Sequence, residues 1–232
     1  MNLACVLKEL QTISALLRAQ NEANGIDDGE TPEPPPPPEP PGNPAQTIVR
    51  FTHNNNGGTS NAGELDNQNC LQRLEDIRFG SGVQWNGSNF EWVLTGIDTN
   101  SADAAQAAGD WVDFYFQTSD SARVITLDEF YHGLEPTPNA SAAGGYNYDL
   151  KLVDVTNGNV DVIATNEFIN TPQGARVNKN VFFNDQANPQ IDLLPDTEYF
   201  IRMCLYNASG GLTGNPGTVS VDDVILTFNC EV

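Results

Sequence analysis

Cations are scarce in this chain. Ten lysines and arginines face 31 carboxylates, the formal net charge is −21, and only Lys8, Lys151 and Lys179 are lysines. So acidic a surface repels phosphate backbones and anionic bilayers, which excludes nucleic acid and membrane surfaces as partners. Long apolar runs are missing too, and no stretch approaches the roughly 20 residues of a bilayer-crossing helix. Leu3–Val6 is short, is soon interrupted by Lys8 and Glu9, and follows no basic leader, so no secretory signal is expected there. Cysteine is limited to Cys5, Cys70, Cys204 and Cys230, none in a CxxC arrangement, and His53 and His132 stand alone. That pattern gives no zinc site. Free, half-buried thiols are expected, with a Cys204–Cys230 bridge, or one of these with Cys70, left open because spacing does not fix connectivity. GxSxG, HExxH, P-loop glycines and an ExDxE strand are all lacking. Neighbouring carboxylates such as Asp128–Glu129 would point to opposite faces of a strand and cannot flank one glycosidic bond. No enzyme is expected.

What the chain does have begins with an unusual N-terminus. Leu3, Val6, Leu10, Ile13 and Leu17 recur at alternating three- and four-residue steps, the spacing of a coiled-coil seam. Leu7 and Leu16 widen that apolar face, which suits a homotrimer or docking into a partner's groove. Thr31–Pro44 then reads TPEPPPPPEPPGNP, a stiff, extended polyproline segment. The expected organisation is an amphipathic anchor or oligomerisation helix over 2–25, an acidic proline-rich linker over 26–46 and a globular domain over 47–232.

From residue 47 the pattern is β. Segments 47–53, 90–97, 111–117, 146–155, 198–206 and 219–228 are rich in aromatic and β-branched residues, and shorter ones at 123–131, 160–168 and 177–183 bring the number to about nine. Tyr146, Tyr148, Leu150 and Leu152 alternate on one face, as do Tyr199, Ile201, Met203 and Leu205. Asn-Gly steps at 56–57, 86–87 and 157–158 suit tight turns. With no long helical pattern between the strands, the expected fold is mainly β: an antiparallel two-sheet sandwich.

The runs GDWVDFYF, VITLDEFYHGLE, LLPDTEYFIRMCLYNASG and VSVDDVILTF resemble the jelly-roll modules of extracellular bacterial proteins, many of them carbohydrate-binding. The likeness spans roughly residues 90–228 and implies a jelly-roll sandwich. It also implies a structural Ca²⁺, with Asp222 or Asp223 as ligand, and no other cofactor. The layout of helix, polyproline and sandwich resembles head fibres, spikes and decoration proteins of bacteriophages. That likeness implies a non-enzymatic protein on the virion surface, anchored to capsid or vertex protein through residues 1–46 and displaying its sandwich outward, with host glycans as further partners. A glycan-binding or adhesive module of a bacterial extracellular protein is the alternative.

Six aromatic residues offer flat faces to sugar rings: Trp85, Trp92, Trp111, Tyr115, Tyr131 and Tyr146. Trp92 and Trp111 sit in strongly apolar strands and are expected in the core. Trp85, flanked by turn residues, is the leading candidate for glycan contact, with Tyr131 and Tyr146 beside it.

Overall fold

Alternation along each strand sends one set of side chains inward and the other outward, and in this chain two sheets share one interior. The computed structural model describes residues 45–52, 64–65, 69–86, 91–94, 97–135, 144–171, 176–183, 188–209 and 217–231. The expected N-terminal helix, with Leu3, Val6, Leu7, Leu10, Ile13, Leu16 and Leu17, lies outside them, as does the proline linker up to residue 44.

Fourteen strands and one short helix occur among the described residues. In chain order they are β1 (Ala45–Thr52), β2 (Glu64–Leu65), β3 (Leu71–Leu74), β4 (Arg78–Phe79), β5 (Val83–Asn86), β6 (Glu91–Leu94), helix α1 (Ala102–Ala108), β7 (Trp111–Thr118), β8 (Val124–Glu135), β9 (Gly144–Asp154), β10 (Asn159–Thr171), β11 (Val177–Phe182), β12 (Ile191–Leu193), β13 (Glu198–Tyr206) and β14 (Gly217–Glu231). The first sheet runs β11-β8-β14-β1-β2, with β12 on β8 and the β5–β6 pair on β14. The second runs β10-β9-β13-β7-β3, with β4 on β7. All pairings are antiparallel.

The interior forms where the sheets face each other. Phe51 of β1 meets Phe114 of β7 at 5.2 Å between ring centroids, and Phe228 of β14 meets Phe116 at 5.0 Å. Tyr146, Tyr148, Leu150, Tyr199, Ile201, Met203 and Leu205 are all buried in that core, as their alternation requires. His132 is fully buried as well, stacked on Trp92 at 5.5 Å, with its Nε2 2.6 Å from the Tyr146 hydroxyl.

Three features depart from expectation. Strands β2, β3, β4, β5 and β12 run to four residues at most, too short for a period to declare itself. Helix α1 was not expected; Ser101 caps its first turn by accepting from the Ala104 N–H, and Gly109 closes it in the left-handed conformation at φ 86°. Cys70 and Cys230 form a disulfide with Cα atoms 5.5 Å apart, one of the pairings left open beside the expected free thiols, tying the approach to β3 in one sheet to β14 in the other. Cys204 remains free and buried.

Candidate functional site

Strands β7 and β13 carry large apolar side chains on both faces. The inner face of β7 carries Val112, Phe114 and Phe116, as a core strand requires. Its outer face carries Trp111, Asp113 and Tyr115, where a half-exposed sheet would ordinarily place polar residues. On β13, Phe200, Arg202, Cys204 and Tyr206 point outward between the inward Tyr199, Ile201, Met203 and Leu205.

Register arranges these outward residues in rows across the strands. Tyr115, Phe200, Val153 and Val160 are successive cross-strand partners over β7, β13, β9 and β10. Next to them run Asp113, Arg202, Lys151 and Val162. Val160 and Val162 are more than half exposed at the β10 end. Trp111, half-exposed, begins a third row opposite Cys204. At about 4.8 Å between strands, four strands span roughly 14 Å.

Charge on this face is held in fixed pairs. The Arg202 guanidinium donates through Nε and Nη2 to the two carboxylate oxygens of Asp113, each at 2.7 Å. It also lies over the Trp111 ring at 4.2 Å and the Phe200 ring at 5.1 Å. Arg78 covers Tyr115 at 3.9 Å and donates to Glu75 at 2.9 Å. Tyr115 and Phe200 themselves meet at 4.7 Å. Burial pushes the Asp113 carboxyl up, and Arg202 only partly offsets this. Arg202 is held further up by its bond to Asp113. Such a bidentate pair leaves other guanidinium N–H groups free to donate outward.

Helix α1 closes one end of the face. Ala102 and Ala105 pack on Cys204 and Tyr206. Lys151 straps the helix down, its Nζ donating to Asp103 Oδ1 at 2.8 Å and Gln106 Oε1 at 3.0 Å, and this contact lowers the Asp103 carboxyl. Burial lifts the Cys204 thiol to about 11, so it stays protonated and unreactive at neutral pH.

The three aromatic residues expected to bind glycan are not brought together. Trp85 is half-buried on β5, opposite Trp92 and packed against the core. Tyr131 stands on the outer face of the first sheet, between the inward Phe130 and His132, with Gly133 leaving room for its ring. Tyr146 is fully buried with its hydroxyl on His132 and presents no ring face to a ligand. Trp92 is core as expected, but Trp111 is not. Asp223 faces Arg50, with Oδ2 3.9 Å from Nη1, so a cation already stands beside it; the side chain of Asp222 lies outside the described residues.

The geometry defines a two-sheet antiparallel β-sandwich with an aromatic and charged outer face. No family model matches the chain, and no curated protein matches it. Among solved structures it is similar to a non-crystalline cellulose specific carbohydrate-binding module, CBM28, with 17% identity over 62% of this chain and 86% of that one, at a TM-score of 0.33. It is also similar to the xylan-binding module CBM15, with 6% identity over 80% of this chain and 96% of that one, at a TM-score of 0.30.

Proposed function

We propose that the sandwich is a non-catalytic binding module that takes a neutral glycan across the outer face of β10, β9, β13 and β7. The observation that carries this reading is a sheet face, not covered by the partner sheet, on which half-exposed Trp111 and exposed Val160 and Val162 flank a floor of buried Tyr115 and Phe200 and the Asp113–Arg202 pair. Apolar ring faces beside a few oriented donors and acceptors match a sugar's own mixture of flat C–H surface and equatorial hydroxyls. A neutral ligand is favoured because Arg78, Arg202 and Lys151 are already paired with carboxylates and the whole chain is strongly acidic. The inter-sheet disulfide supports exposure to an oxidising, extracellular setting.

Attachment to a virion through residues 1–46, a homotrimer and a fibre or decoration role were expected from residues almost wholly outside the described ones. Nothing in the described domain favours that reading over a binding module.

Affinity electrophoresis of the full chain in gels containing soluble neutral or anionic polysaccharides tests the proposal. Retardation by a neutral polysaccharide is expected, with a loss of severalfold to about tenfold in Trp111→Ala, since one aromatic stacking contact is worth about 0.5–1.5 kcal/mol. Tyr131→Ala, on the opposite sheet, should bind normally. Binding that survives Trp111→Ala, or retention only by anionic polymers, would overturn the assignment.

A further inference from the structure

Away from the aromatic face, one buried carboxylate oxygen among the described residues makes no hydrogen bond. Asp110 is 2% exposed, and its Oδ2 makes no hydrogen bond. The backbone there is fixed: the Asp110 N–H donates to the Ala105 carbonyl and its own carbonyl accepts from the Leu205 N–H, both at 2.8 Å. Just beyond Leu205, the Asn207 N–H donates to the Thr99 carbonyl at 2.8 Å and the Ala208 N–H to the Ile97 carbonyl at 3.3 Å. The excursion through α1 therefore leaves and rejoins the end of β13 at neighbouring places. Asp98 and Thr99 stand where it leaves, and Asp110 where it returns.

Two further oxygen-bearing side chains stand on the segment that leaves β13. Thr99 Oγ1 is also buried and makes no hydrogen bond. Burial, and secondarily the charge of Asp98, lifts the Asp110 carboxyl to about 6. No ion pair among the described residues reaches either carboxylate. A buried carboxylate such as that of Asp110, with no counter-charge beside it, is costly when ionised. Hard oxygens from a carboxylate pair and a hydroxyl, set on loops that leave room for carbonyls and water, are what a calcium ion takes.

We propose that Asp98, Thr99 and Asp110 bind a divalent cation, Ca²⁺, at the foot of the α1 excursion. The irregular donor set favours Ca²⁺ over Mg²⁺, which demands near-octahedral geometry. Affinity falls in the range of extracellular modules, on the order of 0.1–1 mM. The ion clamps both ends of α1 to β13 and steadies Trp111, the residue after Asp110. This site is separate from Asp222 and Asp223 and does not depend on glycan binding.

Thermal unfolding of the full chain tests it, first in EDTA and then in about 10 mM CaCl₂, MgCl₂, or NaCl of matched ionic strength. Calcium should raise Tm by on the order of 5 °C beyond the NaCl control, with a smaller effect of magnesium. Asp110→Asn should lose that rise. In EDTA this variant should be at least as stable as the parent, since it removes an uncompensated charge. Asp98→Asn, at an exposed position, provides a second variant that should also lose the rise. No calcium effect beyond the salt control, or a full effect retained in both variants, would overturn the site.

Discussion

Arg202 and Asp113 show what one buried ion pair commits the sandwich to. Asp113 is almost wholly enclosed, its side chain 1% exposed, and Arg202 supplies both of the bonds that compensate it. Arg202→Ala should therefore destabilise by about 3–5 kcal/mol, because it strands a buried carboxylate. The double variant Arg202→Met with Asp113→Leu should recover much of that loss, and urea unfolding would measure both. Asp110 behaves in the opposite sense. Its native pKa, about 6, lies above the ordinary 3.8, so the folded state binds its proton more tightly. Its contribution to stability is fully present below about pH 4 and is lost as pH rises through about 6. In chelator, the wild type should thus lose stability relative to Asp110→Asn across that window. A constant difference between the two from pH 4 to 7 would show that Asp110 does not titrate there.

Helix α1 is the element on which the outer face depends. It is only seven residues long, too short to stand alone. Ser101, Gly109 and the Lys151 strap hold it on Cys204 and Tyr206. Gly109 is needed twice over: its φ is 86°, and a Cβ there would lie 2.2 Å from Ser81 Oγ. Gly109→Ala should cost about 1–3 kcal/mol. It should also speed hydrogen exchange at Asp110, whose N–H closes the helix onto Ala105. The long strands were legible from alternation, since Tyr146 to Leu152 and Tyr199 to Leu205 bury as their spacing requires. Helix α1 was not, because ADAAQAA has helical propensity but no apolar stripe long enough to separate it from a loop.

At the scale of the whole molecule, the Cys70–Cys230 disulfide joins the two sheets over a sequence separation of 160 residues. Closing so long a loop restricts the unfolded chain by about 5 kcal/mol in the loop-entropy account. Paired replacement of both cysteines by alanine should lower Tm by on the order of 10 °C, read by calorimetry. An unchanged Tm would mean the bridge contributes nothing beyond the packed core. Cys204→Ala should leave the covalent framework intact, since that thiol is unbridged.

By itself the sequence determined the class of fold. Alternating aromatic and β-branched segments broken by Gly, Asn and Asp permit little besides a β-sandwich, and the inward residues of β9 and β13 could be named from their period alone. The candidate site could not be chosen that way. Both faces of β7 carry large apolar side chains, Val112, Phe114 and Phe116 on one side and Trp111 and Tyr115 on the other, so periodicity separates the faces without saying which one the partner sheet covers. Tyr146 offered as flat a face as any in the sequence until the first sheet closed over it and His132 took its hydroxyl. Likewise, no local pattern relates Asp98 to Asp110, or Cys70 to Cys230; those meetings are set by strand order and register. Period is a property of the local backbone, whereas exposure belongs to whichever surface the rest of the chain leaves uncovered.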